Sequence, residues 1–328
     1  MSRLFVPALA AAAVWGLAAA APLQEQPAPT AAGETGDELA FATDEAARMT
    51  VPVSIGGRGS YRFLVDTGSE RTVISRELAD RLALAPGRNV RLHSISEVAN
   101  VETVVIPALN VSKRTVRDIN APALRQDNLG ADGMLGVDSL QSQRVLFDFK
   151  KQTMSIAPAR RSDYVTRNRD EIVVEARSRF GRLILADAAI DGERLWVIVD
   201  TGSQVTLGNE ALRRKLFRKK KLGAALPIEL TSVTGGKLTV DYARVRNLTI
   251  GGIAIADLHI AFADLQPFRK LDLIDRPAML LGMDVLGLFD LIAVDFANRK
   301  VMFDVPDVSG LNPGRRMASL GSGSARGK

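Results

Sequence analysis

The 328-residue chain contains no cysteine, only two histidines and few aromatic residues, 5% in all. Each shortage removes a class of chemistry. Without cysteine there is no disulfide framework, no thiol nucleophile and no thiolate metal site. His93 and His259 lie far apart in the chain, each inside a strand-like stretch. A zinc hydrolase draws on two or three His or Cys ligands, and a serine triad needs a His base beside its serine. Neither is expected here, so no metal and no cofactor enter the reading. Scarce aromatics leave no stacking platform for single-stranded nucleic acid, so the net charge of +6 is not read as a nucleic-acid footprint. Carboxylates are the chemistry left in quantity, with 37 Asp and Glu.

What is present is the composition of a globular protein, 46% apolar and 24% charged, long enough for two modest domains or one bilobal unit. Arg3 is followed by an uncharged stretch over 4–21 that ends in alanines, the pattern of a signal peptide over residues 1–21. A periplasmic or secreted location follows; the alternative reading of the same stretch is an uncleaved membrane anchor. Residues 22–46 are rich in Pro, Ala and Glu without a period and read as a flexible linker, and 309–328 as a disordered Gly, Ser and Arg tail. Between them lie an N-terminal lobe over 47–160 and a C-terminal lobe over 161–308. Strand-like 51–55 and 61–65 flank a glycine-rich turn and predict a hairpin. Apolar residues at helical spacing predict a short helix over 76–84, and further strand-like runs cover 90–95, 103–112 and 144–156. Many strands with few helices predict an all-β fold.

The chain repeats itself. FLVDTGSERTVIS at 63–75 is answered by VIVDTGSQVTLGN at 197–209, and MLGVDSL at 134–140 by LLGMDVL at 280–286. Asp66 precedes Gly136 by 70 positions and Asp200 precedes Gly282 by 82. Four features in one order make the halves duplicates. A lone Asp-Thr-Gly-Ser at the end of an apolar strand reads as an Asx-type turn. Two copies in duplicated halves allow a pseudo-two-fold to set Asp66 against Asp200. Two carboxylates in contact do not both ionise readily, so the pair keeps one proton and offers an acid and a base together. That suffices to activate water against an amide without metal or covalent intermediate.

These paired motifs resemble the aspartic protease superfamily, both pepsin-like and retropepsin-like, over roughly residues 50–305. The resemblance implies a bilobal acid-protease fold of two duplicated lobes with short helices, and an aspartic endopeptidase with Asp66 and Asp200 catalytic. It implies that Thr67 and Thr201 brace the two loops, that Gly68 and Gly202 shape them, and that Ser69 and Ser203 hydrogen-bond the aspartates. Leu135-Gly136 and Leu281-Gly282 would support the loops from behind. Thr234, Gly235 and Gly236 would form a flap tip, whereas the matching 93–100 lacks both glycine and the tyrosine of a pepsin flap. Short halves without disulfides resemble a fused retropepsin-like dimer more than a full pepsin. The implied partner is a polypeptide held as an added strand, with the chain acting as a monomer; serine hydrogen bonds to the ionised form predict an acidic optimum. The alternative is a catalytically dormant peptide-binding or envelope scaffold on the same fold. The basic run at 213–221 reads as a solvated face, or as a weak contact to an anionic membrane. Trp196 reads as packing.

Overall fold

Both halves open on a hairpin whose turn the sequence dictates. Gly56 and Gly57 (φ +57° and +73°) link strand Met49–Ile55 to Arg58–Val65, and Asp191 and Gly192 (φ +46° and +81°) link Ala188–Ile190 to Glu193–Arg194. Two successive residues at positive φ give the turn whose twist matches the strands it joins, which is why Gly-Gly and Asp-Gly stand there. The computed structural model describes residues 37–43, 48–95, 98–140, 143–159, 171–179, 181–185, 187–305 and 316–317. The fold is all-β and bilobal, with short helices.

Phe63, Leu64 and Val65 are buried at the end of the first inner strand, as are Val197, Ile198 and Val199 in Trp196–Val199. Strands covered on both faces need such runs of β-branched and apolar side chains. Each inner strand pairs in parallel with a leucine-glycine segment: Val65 opposite Leu135, and Val199 opposite Leu281. Those segments pair antiparallel with Val73–Ser75 and Leu207–Gly208. A helix follows in both halves. Ser75 Oγ accepts from Leu78 N–H at 3.1 Å to start Arg76–Arg81, and Asn209 Oδ1 accepts from Leu212 N–H at 2.9 Å to start Glu210–Arg218. The first helix stops short of the expected residue 84 because Ala83 turns to φ +50°.

The lobes are sewn together by backbone. Strand Gln143–Asp148 pairs antiparallel with Leu291–Asp295, Leu146 opposite Ala293, with Arg144–Asp295 and Asp148–Leu291 on either side. With Asp148 matched to Asp295, this register is its own image under the pseudo-two-fold. Hairpin partners Thr153–Pro158 and Lys300–Asp304 extend the sheet; Asp37–Ala40 ends it on one side, and on the other Glu171–Arg179 carries it on through Arg182–Leu185 to the second inner strand. Phe147, Ile292, Val294 and Phe303 fill the core beneath it.

Two expectations for the chain ends are corrected. Residues 37–43, assigned to the flexible linker, form two short strands, because Leu39 and Phe41 pack on the core and Phe41 meets the Phe149 ring edge-on at 6.2 Å. In the tail expected to be disordered, Arg316–Met317 pairs in parallel with Ala254 and Ile255, whose strand offers free backbone groups there. The signal-peptide segment 1–21 and the remainder of both terminal segments lie outside the described residues. No helix among the described residues is long and apolar enough to cross a membrane.

Much of the basic run is engaged within its own lobe. Lys215, Lys219 and Lys221 converge on the buried Glu193 at 3.3, 2.7 and 2.8 Å. Hydrogen bonds from Lys219 and Lys221 hold its carboxyl down to about 2. Arg213 pairs with Asp241. Arg214, Arg218 and Lys220 are exposed. Trp196 packs in the second lobe under the Arg177 guanidinium, 5.3 Å from the ring centre.

Candidate active site

Asp66 and Asp200 each follow an inner strand, and the same bonds pin both. Asp66 N–H donates to Leu135 O at 3.0 Å and Asp200 N–H to Leu281 O at 3.1 Å; Val137 N–H donates to Ser69 O and Met283 N–H to Ser203 O, both at 2.8 Å. The Leu135-Gly136 and Leu281-Gly282 segments thus run directly behind the loops. Neither glycine has room for a side chain, since a methyl would strike the Arg71 or the Val205 backbone.

Between the loops, the threonines cross over. Thr67 Oγ1 donates to Val199 O at 2.8 Å and Thr201 Oγ1 to Val65 O at 2.7 Å, while each hydroxyl accepts the other threonine's N–H at 3.1 Å. These four bonds are buried and all join one lobe to the other. They bring the aspartates face to face. Gly68 lies against the Asp200 carboxylate and Gly202 against that of Asp66, so close that a methyl on either would collide with it.

Four supporting residues escaped the sequence reading. Thr72 N–H and Oγ1 donate to Asp138, and Thr206 N–H and Oγ1 donate to Asp284, at 2.6–3.0 Å; each hydroxyl in turn accepts from Gly136 or Gly282 N–H. The signal was available. Each threonine stands six residues after its Asp and each carboxylate two residues after its Gly, in both halves.

The symmetry fails at the carboxylates. Asp66 Oδ1 accepts N–H bonds from Gly68 and Ser69, both 2.8 Å, whereas Asp200 Oδ1 accepts from Gly202 alone at 3.1 Å. Desolvation raises both. For Asp66 it is opposed by the Gly68 N–H, the Arg182 charge and the Ser69 N–H. For Asp200 the Asp66 charge adds to it, and the group is pushed up to about 8 against Arg182 and the Gly202 N–H. The proton of the pair therefore belongs on Asp200 and the negative charge on Asp66.

The serine hydroxyls do not do what the resemblance implies. Ser69 Oγ donates to Arg71 O at 2.9 Å and Ser203 Oγ to Val205 O at 2.8 Å, each closing its own turn; the bond from Ser69 to Asp66 is made by its backbone. The expected acidic optimum rested on those hydroxyls. With Asp200 near 8, the singly protonated pair persists to neutral pH.

Two hairpins overhang the pair, Val90–His93 with Val98–Val101, and Ala225–Thr231 with Lys237–Ile250. The first forms without glycine. The second turns through Gly235 at φ +89°, with Gly236 N–H on Ser232 Oγ at 3.1 Å. Their tips meet where Thr234 Oγ1 donates to Ser94 Oγ at 3.2 Å. Below them a cavity of about 660 Å³ has Asp66 and Asp200 on its floor and Leu92, Ile95, Leu230 and Val233 on its walls. Among the described residues no cluster of three His, Asp or Glu is placed to hold a metal ion.

Arg182 was also missed. It is 8% exposed and its Nε donates to Gly68 O, 2.5 Å away in the other half. Arg48 and Arg182 each stand eighteen residues before the Asp of their half, but Arg48 donates to Leu129 O within its own half. A family model described as aspartyl protease matches residues 51–139 and 186–285, once per half and over more than half of the chain. No curated protein matches it.

Proposed function

The chain belongs to the aspartyl protease family, and from that premise we propose that it is an endopeptidase whose Asp66 and Asp200 share one proton and activate one water. The observation that carries this is a pair of carboxyls, each seated against the glycine of the other loop, with unequal N–H support. Asp66, ionised, takes a proton from the water as its oxygen bonds the amide carbon. Asp200 donates its proton to the carbonyl oxygen, which averts a free oxyanion. The tetrahedral diol collapses as the proton on Asp66 passes to the leaving nitrogen and Asp200 recovers its own, so acid and base are both regenerated.

The polypeptide lies extended between the floor and the hairpins, as an added strand whose backbone bonds to their edges and whose apolar side chains meet Leu92, Ile95 and Val233. Tip contacts between Ser94 and Thr234 open to admit it. Both halves of the site stand in one chain, which suits a monomer, and the leader-like residues 1–21 suit work after export. The test is mass-spectrometric product analysis of a denatured protein mixture from about pH 3 to about pH 8. Wild type is expected to cut, and Asp66→Asn and Asp200→Asn each to cut nothing. A protein that binds extended peptides but cuts none at any pH would make the chain a dormant member of its family.

A further inference from the structure

The duplicated loops differ in what holds them from outside. In the first, the Gly68–Ser69 peptide group is bonded at both ends: its C=O accepts from Arg182 Nε at 2.5 Å, and its N–H, that of Ser69, donates to Asp66 Oδ1 at 2.8 Å. Charge, peptide and carboxylate thus form one hydrogen-bonded chain, in which each bond polarises the next. In the second loop Ser203 N–H turns to the main-chain oxygen of Asp200 at 3.4 Å and leaves the carboxyl with Gly202 alone. Arg182 is itself held by position: its Nη1 lies 3.6 Å from Glu70 Oε1, and Glu70 is bonded on its other oxygen by Lys270 at 2.5 Å. The charged groups facing the guanidinium are therefore Glu70, Asp66 and Asp200, with Lys270 behind Glu70.

We propose that Arg182 is a positioning residue that breaks the two-fold symmetry of the pair, holding the Gly68–Ser69 peptide on Asp66 so that the shared proton rests on Asp200. This rests on the paired-carboxyl reading of the site. The duplication supplies two equivalent aspartates; Arg182, reaching across from the second lobe to the loop of the first, makes one the base and the other the acid. The second loop has Gln204 where the first has Glu70, so the ion pair that seats the arginine exists on one side only.

The experiment is carboxyl titration by NMR in the full chain with ¹³C-labelled aspartate, the two signals assigned by their loss in Asp66→Asn and Asp200→Asn. It needs no turnover, so it stands apart from the test of proteolysis. In wild type Asp66 is expected to ionise well below Asp200. Arg182→Gln removes a cation that favours both ionised forms, so the first ionisation moves up by about one pH unit and the two signals share it more evenly. Arg182→Lys, which keeps the charge, recovers most of the difference. Where the protein cuts peptide, the acid limb of kcat/KM follows the same order. A folded Arg182→Gln with wild-type titration, or an Arg182→Lys no better than Arg182→Gln, would each overturn the proposal.

Discussion

Asp200→Asn is expected to abolish activity and to stabilise the protein, by an amount that grows with pH. The folded protein holds the Asp200 proton to about 8, against an ordinary carboxyl value of 3.8. Between those values the folded state binds a proton that the unfolded chain has released, so wild-type stability falls as pH rises through this window. Each pH unit is worth about 1.4 kcal/mol, which bounds the effect at about 6 kcal/mol by pH 8. Asparagine escapes it. Its amide is neutral at every pH and keeps an N–H donor in place of the carboxyl proton, and its oxygen still accepts from Gly202 N–H. Water entering the cleft relieves part of the wild-type cost, so a gain of about 2–4 kcal/mol near pH 8 is expected, shrinking to about zero near pH 3. Urea unfolding of both proteins at three or four pH values measures it. A variant less stable than wild type near pH 8, or a difference constant across pH, would refute the reasoning, because either means that Asp200 holds no extra proton in the folded state.

Two further outcomes follow from the bonding. Thr201→Ala leaves Val65 O and Thr67 N–H buried without partners, at a cost of about 2–4 kcal/mol; Thr201→Ser recovers most of it, both read by urea unfolding, and a loss under about 0.5 kcal/mol would mean that the crossed threonines do not brace the lobes. Glu193→Gln lowers Tm at neutral pH, because the carboxylate that gathers three lysines is gone. Its value is depressed from 4.5 to about 2, so its contribution is full above the higher figure and is lost as pH falls toward the lower. Thermal unfolding should therefore show the gap between variant and wild type closing in acid, and an undiminished gap would count against the lysine cluster as its source.

How far the sequence could be read depended on whether a signal was repeated and local. Asp66 and Asp200 declared themselves because strand, aspartate, threonine and glycine are contiguous and occur twice. Thr72 with Asp138, and Thr206 with Asp284, recur just as faithfully, but a threonine and an aspartate apart in the chain read as turn residues until the fold places them together. The serines misled for a local reason: a hydroxyl two residues before a free carbonyl closes its own turn more readily than it reaches a carboxylate. Residues 37–43 misled because their composition outweighed Leu39 and Phe41 in the reading. The first hairpin was obscured by the absence of a marker glycine, which the pairing of Val90–His93 with Val98–Val101 does without.

Arg182 lay beyond any such reading, since its meaning depends on a carbonyl in the opposite half. Its counterpart Arg48 has the same spacing to its aspartate and a local partner, so position alone does not separate them. The two loops differ in several residues, among them Glu70 against Gln204, and of these two only the carboxylate pairs with an arginine. A symmetric pair of carboxyls has no preferred place for its proton, and two equal proton positions would leave the direction of attack on a bound peptide undetermined. Duplication places the two aspartates face to face; on our proposal, the arginine that reaches across to one loop gives each aspartate its own task. In a fused chain, unlike an assembly of identical subunits, the two loops can differ, and the proposed role of Arg182 depends on such a difference, since its ion pair with Glu70 has no equivalent at Gln204.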